Sequence, residues 1–314
     1  MNAFVLDSAG ARLRDDWPLP PNRPGWVRVH TRTAGICNTD LELLRGYMGF
    51  RGVLGHEFVG TALDGSLAGQ RVVGGINFAC GTCPTCREGQ PRHCPTRSVL
   101  GILNADGVFA EQFSIPEKNL LRVPDKVGDR AAVFTEPLAA ACEVLEQLGN
   151  FPRESALVLG DGKLGLLLAQ TLRADGFDVT LMGRHLERLG WLEARGVRLE
   201  SSLRDGVKFP LTVEATGSAS GLESAIRATA ARGTVVLKST IAARHEIDLA
   251  PLVIDEIRLM GSRCGPFEPA LERLSSGAIA TEEMIDSVYD LTRIDEAVRR
   301  AGSPGVMKVL VENR

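Results

Sequence analysis

The chain has 314 residues, 44% of them apolar and 24% charged, with a formal net charge of −3. That length exceeds the roughly 100–200 residues of one ordinary domain, so two packed units with an ample core are expected. The near-neutral balance, without any run of lysine or arginine, excludes the electrostatic footprint of a nucleic-acid or membrane-surface binder and points to a small substrate.

The opening stretch MNAFVLDSAGARLRDDWPLPP has no basic segment followed by a long apolar one, so no secretory signal is expected. The most apolar helical run, Leu164 to Leu172, is interrupted by Gln170 and falls far short of the ~20 residues that cross a bilayer. A cytoplasmic protein is expected. Up to about residue 124 the texture is one of short strands between Gly and Pro: VRVHTRTAG, EFVGTAL, QRVVGG, FAEQFSIP and LLRVP. Such strands predict a compact β-rich unit or small barrel.

Inside this region lies CGTCPTCREGQPRHC, which holds four of the seven cysteines, Cys80, Cys83, Cys86 and Cys94. Gly81, Pro84 and Gly89 supply the tight turns that let thiolates two residues apart face one ion. Four sulfurs complete the tetrahedral shell of a closed, structural zinc site and leave no position for substrate. The reducing compartment expected above disfavours disulfides. An iron-sulfur cluster or plain thiols are the alternatives, and His93 is read as a bystander.

From residue 129 the pattern becomes helical. Pro137 suits a first helical turn, and Leu138, Ala141, Cys142, Leu145 and Leu148 recur at helical spacing, which makes Cys142 a core residue. Strands are then predicted at Ala156 to Gly160, Asp178 to Met182, Val197 to Glu200, Leu211 to Ala215, Gly233 to Ser239 and Ile257 to Gly261. Helices are predicted near Leu164 to Ala174, Leu186 to Arg195 and Leu222 to Ala231. This alternation implies a mostly parallel sheet covered on both faces. In the tail, Glu268 to Gly277 and Ile294 to Ala301 read as helices and Val306 to Val311 as a strand.

Gly160, Asp161, Gly162, Lys163, Leu164 and Gly165 follow a strand and open a helix. Glycines at that junction permit a tight turn and let a pyrophosphate rest on the helix amino terminus, so a dinucleotide loop is expected. The second strand of such a unit normally ends in an acid for the adenine ribose. Here Gly183 stands at that point and Arg184 follows it. Loss of the acid together with a guanidinium predicts a preference for NADP(H) over NAD(H).

Three segments remain: GICNTD with Cys37, GHE with His56 and Glu57, and TEPLA with Glu136. Together they offer a sulfur, an imidazole and carboxylates, a mixed set suited to a catalytic zinc with an exchangeable position. With these residues, the chain resembles the zinc-dependent medium-chain dehydrogenases, the alcohol and polyol dehydrogenase family. GICNTD resembles that family's G-[VI]-C-x-[ST]-D segment, GHE its metal-binding turn, the four-cysteine lobe its structural zinc, and VLGDGKLG its cofactor loop. VEATG, with Thr216, and the closing VMKVLV match as well, so the resemblance spans essentially the whole chain.

The resemblance implies a two-domain α/β protein. A GroES-like β-rich catalytic domain would occupy residues 1–137 and be completed by 264–314, with a doubly wound Rossmann-type domain at 138–263. It implies two zinc ions per chain. Cys37 and His56 would bind the catalytic one, with Glu57 or Glu136 as the third ligand. Asp40 would orient the His56 ring, Thr39 would bind the substrate oxygen and start a proton relay, Lys308 would lie near the cofactor phosphates, and Glu42 would stand where some relatives place a relay histidine.

The activity implied is hydride transfer between a nicotinamide cofactor and a small alcohol, polyol or amino alcohol, or the matching carbonyl, by a homodimer or homotetramer paired through the strand near Ile257 to Gly261. Neither nucleic acid nor membrane is an expected partner. The chain departs from the family in its short length, in a trimmed segment between Cys37 and His56, and in Asn38. A zinc-independent quinone or enone reductase and a non-catalytic zinc-bearing regulator are the competing readings.

Overall fold

The computed structural model describes residues 1–240 and 246–313 and forms two compact units. The first comprises Met1–Glu136, Phe267–Ser275 and Thr281–Arg314, the second Pro137–Pro266 and Ser276–Ala280.

The first unit is built on the strand Trp26–Gly35, whose alternating Val27, Val29 and Thr31 point into the core. On one side it pairs with Glu57–Ala62. On the other it pairs first with Gln112–Pro116 and then, over its last three residues, with Lys308–Glu312. All of these pairings are antiparallel. The sheet extends through Arg71–Gly74 to Leu120–Arg122 at one edge and through Ile285–Asp290, parallel to its neighbour, at the other. A smaller sheet of Gly10–Arg14, Ala3–Asp7 and Gly52–Val53 lies alongside. Phe58 and Phe113 meet edge to face at 4.7 Å in the buried core. The junction at Gly35 matters most for function. Gly35 is in register with Glu57 on one side and Leu310 on the other, so residues far apart in the chain meet just before Cys37.

The second unit carries six parallel strands in the order Arg198–Glu200, Asp178–Met182, Ser155–Leu159, Phe209–Glu214, Thr229–Leu237 and Arg258–Gly261. In chain order this is 3-2-1-4-5-6, the order of a doubly wound sheet. Leu157, Leu159, Val213 and Val235 are buried, each contributing roughly 1.5–3 kcal/mol on transfer from water. The strand expected at Asp178 to Met182 has those ends.

Two helices differ from the sequence reading. The segment Leu186 to Arg195 is not one helix but a 3-10 turn, Leu186–Arg188, and a short helix, Gly190–Glu193, broken where Leu189 has φ −107° and ψ 9°. The helix Gly221–Ala228 stops three residues early because Thr229 turns extended and its hydroxyl donates to the Ala225 carbonyl at 2.7 Å. Residues Ser276–Ala280 are held in the second unit by side chains. Gln170 accepts the Ala280 N–H at 2.7 Å, and Arg195 donates to the Gly277 and Ala278 carbonyls at 2.8 Å each. Among the described residues, no helix is long and apolar enough to cross a membrane.

Candidate metal centres and nucleotide loop

Cys37 caps the helix Asn38–Leu44 with extended backbone, φ −98° and ψ 160°. Asp40, on the first turn of that helix and fully buried, accepts the Cys37 N–H through Oδ2 at 2.8 Å and the Gly55 N–H through Oδ1 at 3.2 Å. The same Oδ1 lies 3.3 Å from Nδ1 of buried His56. One carboxylate thus fixes both the cysteine turn and the histidine turn. Burial pushes the His56 imidazolium toward losing its proton, but the neighbouring Asp40 charge outweighs it and holds the pKa well above the usual value. Gly55 has φ +94°, and a Cβ there would lie 2.6 Å from the Phe109 ring, so only glycine fits before the histidine.

Donor atoms of Cys37, His56 and Glu57 lie within 4.8 Å of one another. Bonds of about 2.0–2.3 Å to one ion are reachable from such a spacing with small side-chain adjustments. Glu57 is fully buried, and its Oε1 has no hydrogen-bond partner among the described residues, an orphaned acceptor that a cation would satisfy. Thr39 Oγ1 is 3.8 Å from Cys37 Sγ. Glu136, the alternative third ligand, stands outside this cluster in the first turn of the helix Thr135–Leu148. Glu42 is half exposed and paired with Arg45 at 2.6 Å.

Lys308 makes a contact that the sequence reading did not foresee. It is buried in the first unit with its ammonium on Glu57 Oε2. Register brings it there, because its strand lies against the end of Trp26–Gly35. Burial pulls the Lys308 pKa down, but the Glu57, Cys37 and Glu136 charges more than compensate and raise it. Lys308 is therefore a fixed cation that offsets the negative donors.

The four-cysteine lobe is compact. Cys94 Sγ lies 3.6 Å from Cys80 Sγ and 3.9 Å from Cys83 Sγ, and Cys80 and Cys86 are 4.0 Å apart. Sulfurs at the corners of a tetrahedron with bonds of about 2.3 Å are about 3.8 Å apart, so this set fits zinc. Gly81, at φ +77°, turns the chain so that the Thr82 and Cys83 amides donate to Cys80 Sγ at 3.5 and 3.4 Å. These amides pull the Cys80 thiol down to about 5, while burial and the neighbouring thiols push Cys86 up to about 12. His93 lies on the adjoining 3-10 turn, outside the sulfur cluster.

In the second unit Gly160, at φ +112°, ends the first strand, and Gly162 caps the helix Lys163–Ala174, with Leu164 in its first turn. A Cβ on Gly165 would sit 1.9 Å from the Gly160 carbonyl oxygen, whereas one on Gly162 would meet nothing within 4 Å. The loop is thus closed against its own strand and open above the helix terminus, the shape a pyrophosphate needs. Thr216 accompanies it at the end of the fourth strand, its N–H and hydroxyl both donating to Glu214 Oε1 at 2.8 and 2.6 Å. At the end of the second strand Gly183 is buried and Arg184 exposed. The reading from sequence missed that Asp161 reaches across to this point, where its Oδ2 accepts the Arg184 N–H at 2.7 Å.

Residues 23–125 match the alcohol dehydrogenase GroES-like domain. The D-altritol 5-dehydrogenase of Agrobacterium fabrum is 31% identical to this chain over 83% of its length and 84% of the relative's. The chain belongs to the zinc-dependent medium-chain dehydrogenase/reductase family. Its similarity to other dehydrogenases extends to solved structures. A short chain alcohol dehydrogenase from Escherichia coli CFT073, complexed with cofactor NADH, matches with a TM-score of 0.89 at 27% identity, covering 99% of both chains. A zinc-binding dehydrogenase from Sinorhizobium meliloti 1021 bound to NADP matches with a TM-score of 0.89 at 27% identity, covering 99% of this chain and 98% of the other. The medium-chain family thus accounts for both units, the GroES-like β unit and the doubly wound sheet.

Proposed function

We propose that this chain interconverts a small alcohol, polyol or amino alcohol and the matching carbonyl, using zinc held by Cys37, His56 and Glu57 and a nicotinamide cofactor held by the Gly160–Gly165 loop. The observation that carries this reading is the convergence of three chemically different donors within 4.8 Å, braced by Asp40. When bound, zinc supplies Lewis acidity toward the substrate oxygen and the nicotinamide supplies the hydride acceptor or donor.

The chain's own residues do the rest. Asp40 fixes the His56 ring and the Cys37 backbone, so that neither donor has to be ordered when the ion binds. Lys308 holds one Glu57 oxygen and leaves the other for the metal. Thr39 binds the substrate hydroxyl and passes its proton outward. Glu57 serves as the third ligand in preference to Glu136, which stands outside the donor cluster. A second zinc, bound by Cys80, Cys83, Cys86 and Cys94, is structural and touches no substrate.

NADP(H) is favoured over NAD(H), because Arg184 offers an exposed guanidinium beside a glycine that carries no acid of its own. Seven reduced cysteines fit a cytoplasmic setting. A homodimer or homotetramer is supported by the edge strand Arg258–Gly261, which has no second partner among the described residues, together with its exposed Leu259 and the exposed Val253 and Ile254. The similarity to a D-altritol dehydrogenase favours a polyol substrate.

The test is a panel of alcohols, polyols and aldehydes assayed with each nicotinamide cofactor, with Cys37→Ser as the control. Polyol oxidation that runs faster with NADP+ and falls roughly thousandfold in Cys37→Ser is the expected result. A variant that retains the wild-type rate sinks the reading.

A further inference from the structure

Asp161 is the variable residue between the first two glycines of the loop, a place where dinucleotide folds ask only for a tight turn. Its side chain leaves the loop and fills the end of the neighbouring strand. A Cβ built on Gly183 would lie 2.4 Å from Asp161 Cβ and 2.7 Å from its Oδ2. The volume that an acid at position 183 would occupy is therefore taken by a carboxylate supplied from elsewhere. Oδ2 accepts the N–H groups of Arg184 and His185 at 2.7 and 2.5 Å, and His185 Nδ1 lies 3.4 Å away. Two successive amides turned toward one oxygen make an anion-binding concavity, and here the anion is the protein's own.

We infer that Asp161 sets the cofactor specificity of this site by restoring, from the loop, the carboxylate that the second strand lacks. The inference rests on reading the Gly160–Gly165 loop as the cofactor site. A carboxylate at that point accepts hydrogen bonds from the adenine ribose hydroxyls and so supports NAD(H). It also repels a 2'-phosphate and holds the two amides that would otherwise be open to it. Arg184 pulls the opposite way. The two charges act against each other within one short stretch, and Asp161 keeps the advantage of NADP(H) small.

The experiment is calorimetric titration of the full-length protein with 5'-AMP and with adenosine 2',5'-bisphosphate, in wild type, Asp161→Asn and the double variant Asp161→Gly/Gly183→Asp. Asparagine keeps an oxygen for the amides and removes only the charge. Glycine at 161 also removes the Cβ that would collide with a side chain at 183. In Asp161→Asn, the ratio of affinities should move toward the 2'-phosphorylated ligand by roughly tenfold. The double variant should return the ratio close to the wild-type value, because the acid is then back on the strand. If both fragments bind wild type and the Asp161→Asn ratio stays within about twofold, Asp161 does not discriminate and the inference is overturned while the cofactor loop stands. If neither fragment binds wild type, the cofactor-site reading falls and the inference falls with it.

Discussion

Asp40 divides its two oxygens between the Cys37 N–H on one side and the Gly55 N–H and the His56 ring on the other, so both turns that carry the proposed metal donors depend on one buried carboxylate. Removing its charge should loosen the ion without touching a ligand. Asp40→Asn is expected to weaken the Cys37-centred zinc by about 10–100-fold while the four-cysteine zinc is retained, as measured by competition with a metallochromic chelator. Equal release of both ions would show that Asp40 acts on the whole unit and not on the site. The Lys308–Glu57 pair is buried on both sides, so truncating one partner strands the other charge. Lys308→Met should cost about 3–5 kcal/mol in urea unfolding, with Lys308→Arg recovering part of it.

These two interactions differ in how far the sequence discloses them. Asp40, three residues after Cys37 in a helix-opening turn, has a role that local spacing suggests. Lys308 and Glu57 are separated by 251 positions, and only strand register brings them together, so local spacing does not disclose the pair. Asp161 was legible as a residue of the cofactor loop, but its reach to the neighbouring strand was not, because a loop motif does not encode it.

At the level of elements, the six parallel strands were legible because strands buried on both faces read as unbroken apolar runs between turns. The helix expected at Leu186 to Arg195 was not, since its apolar spacing continues through Leu189 while the backbone there leaves the helical region. Close packing at the loop glycine gives a sharp test. Gly165→Ala places a methyl 1.9 Å from the Gly160 carbonyl oxygen, so the helix must move away from the strand. A loss of about 1–3 kcal/mol of stability is expected, together with a fall in nucleotide affinity visible as lost quenching of tryptophan fluorescence. Unchanged affinity would mean that the glycine serves packing alone. The close approach of the four cysteine sulfurs was legible from spacing, because side chains supplied by one short segment need no distant partner to meet.

At the scale of the molecule, the last strand of the parallel sheet is an edge without a second partner among the described residues, and Val253 and Ile254 are each more than three-quarters exposed. Pairing with a second copy would cover them. The double variant Val253→Asp/Ile254→Asp should reduce the light-scattering mass to that of one chain, and an unchanged oligomer would place the interface elsewhere. The change of texture near residue 129 precedes the boundary between the two units at Glu136 and Pro137. The place of Ser276–Ala280 in the second unit is not legible in the sequence, because it depends on Gln170 and Arg195 gripping backbone 82 to 110 residues away. The proposed activity requires a metal gripped by Cys37, His56 and Glu57, and zinc content per chain by elemental mass spectrometry tests that most directly. Wild type should carry two zinc ions and Cys37→Ser one, with its fold intact by circular dichroism. A wild-type chain with a single zinc that Cys37→Ser retains in full would contradict it.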